Sequence, residues 1–167
     1  GDFYYLVMEY IQEAKTLGNY CKANSLLPLR DVVGIIYNCA KALDYAHRQG
    51  IIHRDIKPNN IMQTPAREIK IADFSVALIN RDDYMETQVG GLMGSPLYMS
   101  PEQITECNMS NNTDIFSLGV VMYELLTGKH PFKADNINAI IHNITRETPA
   151  PLSDTRNDIP EQLESIM

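Results

Sequence analysis

The chain reads as a mainly helical α+β fold that carries a small β-hairpin region. Two observations predict the helices. Apolar residues recur at three- and four-residue spacing over 29–49, and they crowd nearly every side of 113–127. A third predicts the strands. Between those helices lie short β-branched pieces, Ile51-Ile52, Ile61-Met62 and Glu68-Ile69-Lys70-Ile71, each too short for a helix. With 167 residues and 44% apolar composition, the chain is long enough for one packed domain.

Taken in order, Phe3-Tyr4-Tyr5-Leu6-Val7-Met8 is a strand-like apolar run. The first long helix spans Leu29 to Gln49, with Pro28 at its start and Gly50 just past its end. Val32, Ile35, Ile36, Cys39, Leu43 and Ala46 form its apolar stripe. Residues 80–100 hold Gly90, Gly91, Gly94 and Pro96 without a clean period, which predicts a long loop of the functional kind. The second long helix spans Thr113 to Thr127, with Thr113 or Asp114 as its cap and Gly128 as its stop. Its all-round apolar character predicts burial at the centre. Asn136 to Thr145 is a shorter amphipathic helix carrying Ile137, Ile140, Ile141 and Ile144, and 161–167 reads as a helix just begun after Pro160. Both ends read as cut from a longer polypeptide.

Fourteen basic against 21 acidic side chains give a formal charge of −7, which argues against a general nucleic-acid binder. No apolar run approaches the ~20 residues that span a bilayer. The first ten residues lack the basic start and cleavage site of a signal peptide. Cys21, Cys39 and Cys107 are odd in number and widely spaced, so they are expected as free thiols in a reducing compartment.

The segment richest in chemistry is His53-Arg54-Asp55-Ile56-Lys57-Pro58-Asn59-Asn60, followed downstream by Asp73-Phe74-Ser75. Taken singly, Asp55, Asn60 and Asp73 read as ordinary turn residues and Lys57 as a solvated lysine. Together the run resembles the catalytic loop of protein kinases, matching His-Arg-Asp-x-Lys-Pro-x-Asn at every specified position. Asp73-Phe74-Ser75 is similar to the Asp-Phe-Gly metal motif, and Ser100-Pro101-Glu102 to Ala-Pro-Glu. Thr113-Asp114-Ile115-Phe116-Ser117-Leu118-Gly119 resembles the start of the family's buried central helix. Order and spacing agree, and the resemblance runs from Phe3 to Met167.

The resemblance implies a kinase-like C-terminal lobe and a role for each matching residue. Asp55 would accept the proton of the substrate hydroxyl, Lys57 would contact the γ-phosphate, and Asn60 with Asp73 would hold Mg²⁺. Val7-Met8-Glu9-Tyr10-Ile11 resembles the adenine-holding hinge. There Glu9 and Ile11 would offer backbone groups, Met8 would guard the back of the pocket, and Met62 would lie beneath the base. His53 and Phe74 would stack, and Asp114 would accept hydrogen bonds from the backbone near His53. Arg54 would answer a phosphorylated loop, with Thr87 as the first candidate phosphosite and Tyr84 as a second. Ser95 would bridge Asp55 and Lys57, while Leu97 and Tyr98 would shape the pocket for the residue after the acceptor.

On that resemblance the parent is a serine/threonine protein kinase using ATP and Mg²⁺ on protein substrates. It would be cytoplasmic, or the cytoplasmic part of a membrane receptor kinase. Residues 1–13 would be the last small-lobe strand and hinge, and 14–167 most of the C-terminal lobe, short of its final helices. The glycine-rich loop and Val-Ala-Ile-Lys strand of the N-terminal β-lobe are missing from the sequence. The segment by itself is therefore expected to be inactive, poorly stable and prone to self-association. Three departures stand out: Ser75 for glycine, Phe116 for tryptophan, and Glu102 expected without its usual arginine partner. The wording of residues 95–103 is similar to bacterial kinases. Two rivals are a pseudokinase-like binding scaffold, against which the intact Asp55, Lys57, Asn60 and Asp73 speak, and a small-molecule kinase, against which the docking loop speaks.

Overall fold

The computed structural model describes residues 7–74, 96–105 and 109–166. Three short antiparallel strands form one sheet in the order β1-β2-β3: β1 Lys15–Thr16, β2 Ile61–Gln63 and β3 Ile69–Ile71. Thr16 pairs with Met62, and Met62 in turn pairs with Lys70. Residues directly opposite in a ladder share a face, so Thr16, Met62 and Lys70 line one side of the sheet. Ile61 and Ile71 pair on the other side, where Ile61 is fully buried.

Helix α1, Leu29–Arg48, buries Val32, Ile35, Cys39, Leu43 and Ala46 and leaves its polar positions outside. After the four-residue α2, Pro101–Ile104, comes α3, Asn111–Thr127, the central helix. Eleven of its residues, from Thr113 to Thr127, are buried. Leu43, Val121, Leu125 and Leu126 meet Leu17, Ile56 and Ile61 in one core between α1, α3 and the sheet. Each fully buried leucine or isoleucine contributes roughly 1.5–3 kcal/mol of apolar burial. A second cluster joins Val120 and Phe132 to Ile144 of α4, Ile137–Arg146, with Phe116 stacked on Phe132 at 5.9 Å. The last described helix is α5, Glu161–Glu164.

Several boundaries differ from the sequence reading. Helix α3 starts two residues earlier because Ser110 is the cap: its hydroxyl accepts the Asn112 N–H, and the Thr113 hydroxyl accepts the Ser110 N–H in return. Thr113 is therefore the reciprocal partner in the cap, not the cap itself. Asn136 caps α4 by accepting the Ala139 N–H at 2.9 Å. Ile51-Ile52 is no strand. The Ile51 N–H bonds back to the Ala46 carbonyl, so this pair closes α1 instead of joining the sheet. Lys15–Thr16 is a strand that carries no apolar signal of its own.

Of the cysteines, Cys39 is buried and Cys21 half-buried, both as free thiols; Cys107 lies outside the described residues. Burial pushes both thiols up to about 12. No helix among the described residues is long and apolar enough to cross a membrane.

Gly128 ends α3 at φ 69°, and a Cβ there would sit 2.5 Å from the Ala23 backbone nitrogen. Gly50 follows α1 at φ 74° with open space around it. Replacing Gly50 with alanine is expected to cost about 1 kcal/mol, the backbone term alone. Replacing Gly128 with alanine adds a backbone collision and is expected to cost at least ~2 kcal/mol more. Urea unfolding midpoints of the two variants check this ranking.

Candidate functional site

The loop between α1 and β2 is shaped by one buried carboxylate. Asp114, at zero exposure in the first turn of α3, accepts the His53 N–H at 2.9 Å on Oδ2 and the Arg54 N–H at 2.8 Å on Oδ1. His47, near the end of α1, brings its Nε2 to Oδ2 at 2.7 Å. A buried carboxylate is tolerable only when so surrounded. These bonds hold Arg54 at φ 67°, a left-handed conformation that costs a non-glycine residue roughly 1–3 kcal/mol. The Arg54 carbonyl is held from the other side by the Gln103 amide at 2.9 Å.

That twist presents Asp55. Its Oδ2 receives the Lys57 Nζ at 2.7 Å and the Asn60 Nδ2 at 2.9 Å. Asn60 Nδ2 also donates to the Asp55 carbonyl at 2.9 Å. With both amide hydrogens committed, the oxygen end of the Asn60 amide remains for a cation or another donor. Asp55 and Lys57 stay open to solvent, with side chains 23% and 31% exposed, whereas Asn60 is 7% exposed overall.

Asp73 is brought alongside by the sheet. The Ala72 N–H bonds to the Asn60 carbonyl at 2.8 Å, one step beyond the Ile61–Ile71 pair. The Asp55 N–H reaches His53 Nδ1 at 3.3 Å, so Nε2 carries the ring proton and donates to the Ala72 carbonyl at 3.0 Å. His53 is thus a positioning residue between the two loops, and its ring meets Phe74 at 4.5 Å. Asp73 is exposed and also left-handed, at φ 60°. Glu13 and Arg67 are left-handed as well, at φ 55° and 63°.

The remaining predicted residues are distributed as follows. Met62 stands half-buried on β2 opposite Lys70. Ile11 is half-buried, Met8 is 70% exposed, and the Glu9 carboxylate binds Lys70 Nζ at 2.7 Å. The Arg54 side chain is exposed. Ser75, Tyr84, Thr87 and Ser95 lie outside the described residues. Among the described residues no three His, Cys, Asp or Glu side chains gather as a metal cluster. Glu102 departs from expectation: it is half-buried and accepts the Thr113 hydroxyl at 2.8 Å, so its carboxylate is not left without a partner. A groove of about 320 Å³ beside Arg30, Gly34, Asn38 and Arg67 contains none of the predicted site residues.

Sequence reasoning missed His47, Gln103 and Lys70. Each acts through a contact with a residue distant in the chain, and none lies within a motif that names it. It also missed a polar cluster beneath 96–98. The Tyr98 hydroxyl donates to Glu124 at 2.5 Å, and the His130 ring meets Tyr98 edge-on at 5.1 Å. Burial raises the Glu124 and Tyr98 pKa values. Burial also holds the His130 imidazole down to about 4; the Leu97 carbonyl offsets part of this without meeting Nε2 in hydrogen-bond geometry.

Comparison with known proteins points the same way. The protein kinase domain family matches residues 1–167. The chain is 35% identical over 167 residues to the serine/threonine-protein kinase PknB of Mycobacterium leprae, covering 100% of this chain and 27% of that protein. It is 35% identical over 168 residues to the PknB of Mycolicibacterium smegmatis, with the same two coverages. A Bifidobacterium longum protein named "Probable serine/threonine-protein kinase PknB" is 39% identical over 163 residues, 97% of this chain and 24% of that protein. The chain thus spans about a quarter of the length of these relatives.

Two outcomes follow from the buried groups. Asp114→Asn turns an acceptor towards donors and is expected to destabilise the fold by about 2–4 kcal/mol in urea unfolding. For His130, the folded pKa lies below the ordinary value of 6.5. The unfolded chain therefore takes up the proton first as pH falls, so the stabilisation is full above about 6.5 and lost towards about 4. Unfolding measured between about pH 7 and about pH 4.5 should show a loss of roughly 2–3 kcal/mol from this group, and His130→Asn should remove that part of the slope.

Proposed function

The chain belongs to the protein kinase family, and from that premise we propose that the protein is a serine/threonine kinase acting on protein hydroxyls. The observation that carries this reading is the asymmetric Asp55 carboxylate. Lys57 and Asn60 both occupy Oδ2, which leaves Oδ1 as the acceptor for an incoming alcohol. A hydroxyl bound there would be oriented and relieved of its proton as its oxygen attacks. MgATP supplies the phosphoryl group when bound.

This chain's residues suit that partner. The Asn60 amide oxygen and the Asp73 carboxylate are hard donors, and Mg²⁺ is commonly held by one or two such groups plus phosphate oxygens. A site of this kind needs no dedicated three-acid cluster. Lys57, held beside Asp55, would offer a cation to the charge that builds up on the transferring group. Glu9 and Ile11 would meet the adenine through their backbones, with Met62 below it and Met8 towards the back. Lys57 supports serine or threonine as the acceptor, as would Ser95. Arg54 is exposed and suited to a phosphorylated Thr87. We place the domain in the cytoplasm, where ATP is available, and read residues 1–13 as strand and hinge and 14–167 as C-terminal lobe. Against a purely scaffolding role stands the intact set of Asp55, Lys57, Asn60 and Asp73.

The decisive assay is γ-phosphate transfer by the full-length protein to a serine- or threonine-containing substrate. Asp55→Asn is expected to lower the rate by roughly 10²–10⁴, with unfolding near that of the parent. Asp73→Ala is expected to abolish Mg²⁺-dependent transfer. Residues 1–167 alone, which hold no glycine-rich phosphate loop, are expected to be inactive. Equal rates in the parent and Asp55→Asn would remove the role given to Asp55.

A further inference from the structure

Residues 7–13 are weakly tied to the fold. Val7, Met8, Glu9 and Tyr10 are all exposed, and none belongs to a helix or strand. Among the described residues, one interaction anchors this segment by hydrogen bonding to the body of the protein beyond β1. Lys70 Nζ reaches Glu9 Oε1 at 2.7 Å and Oε2 at 3.0 Å, across 61 residues of sequence. Both oxygens of the carboxylate share the one ammonium, so the bond sets how far Glu9 lies from β3.

The position of Lys70 gives the bond its meaning. It pairs across the ladder with Met62 and therefore lies on the Met62 face of the sheet. It also lies three residues before Asp73 on the strand that leads to it. Glu9 is thus drawn over the face that would underlie the adenine, by a side chain rooted in the strand that would deliver the metal ligand. The Glu9 side chain is used for this contact, which leaves its backbone groups for a base.

We propose that the Glu9–Lys70 ion pair is a clasp that sets the adenine-holding segment over the Met62 floor, making Lys70 a positioning residue for nucleotide binding. This rests on the kinase reading above. The pair is exposed, with Lys70 at 37% and Glu9 at 67%, so its effect on global stability is small. Its effect is on where a short segment sits that, among the described residues, has no other side-chain hydrogen bond to the sheet. The Glu9 carboxylate also raises the Lys70 pKa.

The test uses the full-length protein with Lys70→Met, Lys70→Arg and the charge swap Glu9→Lys/Lys70→Glu. Equilibrium binding of MgATP, transfer kinetics and amide hydrogen exchange without nucleotide are measured on each. Lys70→Met is expected to weaken nucleotide binding and raise the ATP KM by about 3–5-fold, with kcat within about twofold. Exchange at residues 7–13 should quicken in the nucleotide-free variant, while the core stays protected. Lys70→Arg and the charge swap should each recover most of the lost affinity. If Lys70→Met matches the parent in binding, KM and exchange, the clasp is overturned and the kinase reading stands. If the parent itself binds no MgATP, the kinase reading fails and the clasp fails with it.

Discussion

A single carboxylate, carried by the central helix and wholly shut off from water, organises the chemistry of this fold. Asp114 cannot be left alone where it sits, because an isolated charge in the interior is expensive. Three N–H groups from two other segments answer it: the backbones of His53 and Arg54, and the ring of His47. In meeting that demand they bend the chain into a conformation Arg54 would not otherwise adopt. Everything from Asp55 to Asn60 hangs on that bend.

The rest of the site is built by relay. Asp114 sets His53, His53 reaches the Ala72 carbonyl, and Ala72 pairs with Asn60, which returns two bonds to Asp55. The circuit closes on itself, so the two carboxylates and the amide are placed relative to one another by backbone as much as by side chains. The small sheet adds only a few ladder bonds. Its register decides that Met62 and Lys70 share a face while Ile61 and Ile71 turn to the core.

Much of this was legible in the sequence, for definable reasons. The two long helices announced themselves because apolar spacing is a local property, and α1 and α3 keep it over several turns. The His53 to Asn60 run was read through its resemblance to the catalytic loop of protein kinases, because its residues taken singly are ordinary turn residues. The start of α3 was misjudged since Asn111 and Asn112 hide the first turn behind polar side chains. Ile51-Ile52 misled because β-branched residues favour strands only when a neighbour is there to pair with. His47, Gln103 and Lys70 were invisible for a deeper reason. A histidine at a helix end, a glutamine in a short helix and a lysine in a strand are each unremarkable until a distant acceptor is brought to them. Likewise Glu102 was expected to want an arginine, whereas a hydroxyl from the next helix satisfies it.

The separation between Asp114 and the loop it braces has a consequence for how the molecule comes into being. The donors at His53 and Arg54 precede their acceptor by 61 and 60 residues. On a ribosome adding about 5–20 residues each second, that is an interval of roughly 3–12 seconds. During that time the segment from His53 to Asn60 exists without the anchor that twists it. The newborn chain therefore holds all the letters of the His53 to Asn60 loop well before it can hold the shape, and only the arrival of the central helix turns one into the other.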